Sequence, residues 1–85
     1  MFKACFEDDE GFSWDWFGSI EDAEKWIKRQ AYYIDADNEF EWWPEDPPAN
    51  LLHRERVVSF WRGQFQADDE NEPVFLRAWI ENLQG

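Results

Sequence analysis

The sequence predicts an α+β domain: an antiparallel β-sheet of four to six strands, with one main α-helix at about residues 20–30 packed on one face. Three observations predict it. Ile20, Ala23, Trp26 and Ile27 recur at helical spacing behind a capping serine. Phe12–Phe17 alternates, with Phe12, Trp14 and Trp16 on one side and Ser13 and Asp15 on the other. From Val57 to Ile80 the chain is rich in β-branched and aromatic residues. At 85 residues the chain makes one domain, residues 1–85.

The elements follow in order. Phe2–Glu7 is a strand, and Asp8-Asp9-Glu10-Gly11 is a turn ending on glycine. With Phe12–Phe17 this makes a hairpin. Gly18-Ser19 breaks the strand, and Ser19 caps the helix. Glu21, Asp22 and Glu24 open that helix; Lys25, Lys28 and Arg29 come near its end, as the helix dipole favours. Tyr32–Trp43 reads as extended, with Asp37-Asn38 as a turn. Pro44, Pro47 and Pro48 then impose a loop without a regular ladder. Asn50–Arg56 is open to a short helix carrying Leu51 and Leu52. Val57–Gln66 and Val74–Ile80 read as strands around an acidic loop. A competing reading makes Pro73–Leu83 a helix, since Phe75/Trp79 and Leu76/Ile80/Leu83 also fit helical spacing.

A short chain must bury its apolar surface efficiently. Seven Trp, eight Phe and two Tyr meet that need, so most of the rings are expected in the core. The lone Cys5 allows no intramolecular disulfide, which fits a reducing, cytoplasmic setting. The N-terminal residues turn acidic at once and lack a signal-peptide pattern.

Catalytic chemistry is not expected. His53 is the lone histidine and sits in a polar run, leaving little for a metal site or a nucleophile relay. Cys5 lies between Ala4 and Phe6 in an apolar strand, where a thiol is inert. The glycines form no phosphate-cradling loop, and the acidic clusters lack EF-hand spacing. No cofactor, metal or catalytic residue is therefore expected. The chain is read as a binding protein.

Its charge says what it binds. Twenty acidic residues against eight basic ones give a net charge of -12. That disfavours direct contact with nucleic acid or anionic membranes and suits a basic protein or ribonucleoprotein. Asp35, Asp37, Glu39 and Glu41 are spaced by two, which in an extended chain sets carboxylates on one face about 6.6 Å apart. Trp43, with Glu45 and Asp46, would anchor a partner arginine by cation–π and ion pairing. The turn Asp8, Asp9, Glu10 and the loop Asp68, Asp69, Glu70 complete the candidate partner-binding set. Arg54, Arg56 and Arg62 are expected to make internal ion pairs. An exposed edge strand would also permit a homodimer.

Small size, strong acidity and high aromatic content resemble phage-encoded inhibitors of host nucleic-acid machinery, the anti-CRISPR proteins and other DNA mimics among them. The resemblance implies occupation of a basic nucleic-acid channel in the host cytoplasm. An alternative class is the immunity protein that neutralises a cationic nuclease toxin.

Overall fold

β1 (Phe2–Glu7) and β2 (Phe12–Phe17) pair antiparallel, from Phe2 opposite Phe17 to Glu7 opposite Phe12. The structure, a computed structural model, describes residues 1–8, 11–34, 41–65 and 74–83. The hairpin closes between Asp8 and Gly11: Asp8 N–H donates to the Gly11 carbonyl (2.9 Å), and Gly11 N–H donates to Asp8 Oδ1 (2.8 Å). The aspartate side chain does there what a turn backbone otherwise must.

Helix α1 (Ile20–Ile34) starts where Ser19 can cap it. Asp22 N–H donates to Ser19 Oγ (3.2 Å), and Ala23 N–H donates to the Ser19 carbonyl (3.2 Å). The helix runs a full turn beyond the predicted end. Ala23, Ile27 and Ala31 are all buried at spacing i, i+4, i+8, so the apolar stripe continues past Gln30. Two expectations fall with this. Tyr32–Ile34 is helical rather than extended, and no basic residue lies in the last turn, so Lys25, Lys28 and Arg29 sit mid-helix. Ile20, expected on the core side, is exposed because it opens the helix at the rim of the sheet.

The remaining strands are β3 (Glu41–Pro44), β4 (Val57–Phe65) and β5 (Val74–Asn82). All neighbours are antiparallel, in the spatial order β2-β1-β5-β4-β3. The sheet therefore has five strands, with β2 and β3 at its edges. The helical reading of Pro73–Leu83 fails. Leu76, Ala78 and Ile80 bury on the helix side, while Trp79 packs in the cluster of the other face, a period of two that a helix cannot make. Pro44 is not a loop residue. It ends β3 opposite Trp61, a place open to proline because β3 is an edge strand. Between Asn50 and Arg56 there is no α-helix, only turns and one 3-10 turn at Arg54–Arg56.

The main core lies between α1 and the sheet. Ala4, Ala78, Ala23 and Ala31 are small, and they let the helix lie close on β1 and β5. Phe6, Ile27, Leu76 and Ile80 fill the remaining volume. Phe2, Phe17, Trp26 and Trp61 seal its margin.

Candidate functional site: the helix-free face of the sheet

Among the described residues no α-helix covers the opposite face, and strand alternation fills it with a different chemistry. Register places its residues in rows. Trp16, Lys3 and Glu81 lie side by side across β2, β1 and β5. The next row is Trp14, Cys5, Trp79 and, on β4, Phe60. The third is Phe12, Glu7, Arg77 and Arg62.

The middle of this face is a second small core. Cys5, Phe60 and Trp79 are buried, and Leu51 and Val57 pack against them. Phe60 stacks on Trp79 at 5.9 Å between ring centroids, and Phe12 stacks on Trp79 at 5.7 Å. Three rings thus bridge from the edge strand to β4. Within this cluster Glu81 is 4% exposed, yet it is not orphaned. Trp79 Nε1–H donates to Glu81 Oε2 (3.1 Å), and the Cys5 thiol approaches the same oxygen (3.6 Å). Burial, together with the Glu81 carboxyl beside it, pushes the Cys5 thiol up to about 12. Cys5 is therefore a structural thiol, as its apolar flanks suggested.

The edge of the face is open. Phe12, Trp14 and Trp16 remain 44–47% exposed, although rings of this size usually bury most of their surface. Sequence reasoning assigned most rings to the core and left these three out of the binding set. The sequence shows that three large aromatics alternate on one short strand, but only the sheet order, which puts that strand at the edge, leaves one side of the row uncovered. Trp14 and Trp16 meet edge-to-face, at 5.4 Å and 81°. The Lys3 ammonium lies 5.0 Å from the Trp14 ring centroid and 5.8 Å from that of Trp16. Arg77 repeats the theme 5.8 Å above Trp79, while its Nε donates to Glu7 Oε1 (2.9 Å).

The predicted anchors fare unevenly. Glu45 and Asp46 follow β3, and Glu45 Oε2 accepts from Arg62 Nε (3.1 Å). That pairing bears out Arg62 as an internal ion pair. Arg54 instead donates to the Pro47 carbonyl (3.0 Å). Glu41 and Trp43 lie in β3, opposite Gln64 and Arg62. Asp8 is held in its turn. Asp9, Glu10, Asp35, Asp37, Glu39, Asp68, Asp69 and Glu70 lie outside the described residues, and so does the Asp37-Asn38 turn. The two-residue row cannot start from an extended Tyr32, because that residue is helical. His53 is exposed, with its Nδ1 3.9 Å from Glu55 Oε1.

Shallow concavities flank the sheet among the described residues. One, of about 310 Å³, is lined by Glu24, Ile27, Lys28 and Trp61 on the helix side. A second, of about 390 Å³, lies between the Pro44–Pro47 segment and β4. The lining of the second includes Glu45, Asp46 and Ser59. Among the described residues no group of three or more His, Cys, Asp or Glu side chains is placed to hold a metal ion. No described helix is long and apolar enough to cross a membrane. Comparison with protein-family models, with curated proteins and with solved structures finds no match for this chain.

Proposed function

We propose that this chain is a non-enzymatic binding protein that inhibits a basic nucleic-acid-binding protein by occupying the surface meant for nucleic acid. One observation carries the reading. A domain with a net charge of -12 keeps four large aromatic side chains, Phe12, Trp14, Trp16 and Phe75, exposed on a single face of its sheet. Long-range charge would steer the encounter, and aromatic contacts would then hold the complex. The acids exposed on α1 (Glu21, Asp22) and after β3 (Asp46) belong to the steering field.

The test is a tagged pull-down from a bacterial lysate with identification by mass spectrometry, repeated with excess duplex DNA. The expected result is a basic nucleic-acid-binding partner that DNA displaces. The association rate with that partner should fall steeply as salt rises, because the Debye length shrinks from about 10 Å at 0.1 M to about 3 Å at 1 M. A partner that DNA leaves in place, bound at a salt-independent rate, would refute the reading.

A further inference from the structure

We propose that the Phe12–Trp14–Trp16 row is the docking surface for an arginine-bearing segment of the basic partner, and that Lys3 holds its place in the free protein. The inference rests on the reading above and adds where contact is made and by what chemistry.

Three observations lead to it. The rings are half exposed, so part of each can be reached without rearrangement of the core. Two of them already bind a cation: Trp14 and Trp16 meet nearly at right angles, and the Lys3 ammonium lies over both. A ring pair of this kind attracts a cation through the negative face of each π-system. Finally, the charges of the face itself are nearly matched. Lys3, Arg62 and Arg77 stand against Glu7, Glu41, Glu45 and Glu81, a net of one negative charge, so most of the net charge of -12 is carried by residues outside these rows. A cationic segment is drawn in by the net acidic charge and meets half-exposed arene surface at the edge of the face, where it would displace the Lys3 ammonium. Guanidinium is favoured over ammonium, because it is planar, stacks on rings and is more weakly hydrated.

β2 is an edge strand, which raises pairing with a second copy as a rival occupant. Two features oppose it. Asp15 Oδ1 accepts the Trp16 N–H at 2.7 Å, so this donor is already engaged by the strand's own carboxylate. Two copies each carrying a net charge of -12 also repel.

The experiment measures binding of a short oligo-arginine peptide by tryptophan fluorescence and calorimetry, with oligo-lysine of equal length beside it. The proteins are the full chain, Trp14→Ala/Trp16→Ala, and Glu21→Gln/Asp22→Asn/Glu24→Gln. Circular dichroism verifies that each is folded, and sedimentation gives the oligomeric state. Wild type is expected to prefer arginine and to retain binding at about 0.5 M salt, where charge alone is largely screened. The tryptophan variant should lose roughly tenfold or more in affinity, with the loss persisting at high salt. The helix variant should weaken mainly at low salt. Lys3→Met should bind more tightly than Lys25→Met, which removes the same charge from the exposed helix surface.

Wild-type affinity in the folded tryptophan variant would overturn the docking surface while leaving the basic-partner reading standing. A wild-type dimer that the tryptophan variant abolishes would assign the row to a second copy and overturn it equally. No binding of either cationic peptide by wild type would overturn both.

Discussion

The two faces of the sheet solve the same burial problem differently. Under α1 the packing is apolar and alanine-lined, and Leu76 and Ile80 are almost wholly enclosed. On the other face the enclosed part is small, contains a carboxyl group, and grades into open rings at β2. The covered face obtains its stability from apolar area removed from water. The open face depends on ring stacking and on one buried hydrogen-bond network. The contrast separates scaffold from surface: one face is built to stay shut, the other presents side chains.

The largest expected effect tests the shut face. Leu76→Ala should destabilise by about 3 kcal/mol in urea unfolding, because its neighbours on β5 and α1 collapse only partly into the space. A loss below about 1 kcal/mol would mean that this face is loosely packed, and the contrast would disappear.

Next comes the buried network. Glu81→Ala leaves the Trp79 indole N–H without its acceptor at a nearly enclosed site and should cost about 1–3 kcal/mol. Glu81→Gln keeps an acceptor oxygen and should recover part of that loss. Equal stability of both variants and wild type would show that the open face does not need the network.

The last effect appears only at high pH, as a pH dependence at Cys5. Its pKa is raised from 9.0 to about 12 by folding, chiefly through burial, so the folded state holds the thiol proton more tightly than the unfolded chain. The contribution is fully present below pH 9.0 and is lost as pH rises toward about 12. The slope from this group is at most about 1.4 kcal/mol per pH unit. Comparison with Cys5→Ala isolates it from other groups titrating in that range: the difference between the two proteins should narrow as pH rises through this window. A constant difference would place the thiol in a wetter setting than the structure gives it.

The acidic and aromatic regions were legible to different degrees. The charge is a sum over residues and needs no fold. The arrangement of Asp35, Asp37, Glu39 and Glu41 depended on assuming an extended backbone from Tyr32. Ala31, by prolonging the buried stripe of α1, removes that assumption at its start. Glu81 offered no sequence signal, since an acidic residue near the end of a strand is ordinarily solvated. Its burial follows from Trp79 on its own strand and from Cys5 and Val57 on the strands to either side.

By itself the sequence determined the α+β class, the strands β1, β2, β4 and β5, the start of α1 at Ser19, and the inert thiol. These rest on short-range physics: alternation, capping and the flanks of a single residue. Tertiary structure alone decided where α1 ends, that Pro44 closes an edge strand, and which rings face solvent. Phe12, Trp14 and Trp16 alternate like core residues and stay open because the sheet order places β2 at the edge, with β1 as its only neighbour among the described strands. Exposure belongs to what a strand lies beside, and that is settled by pairings between residues far apart in the chain, such as Cys5 with Trp79.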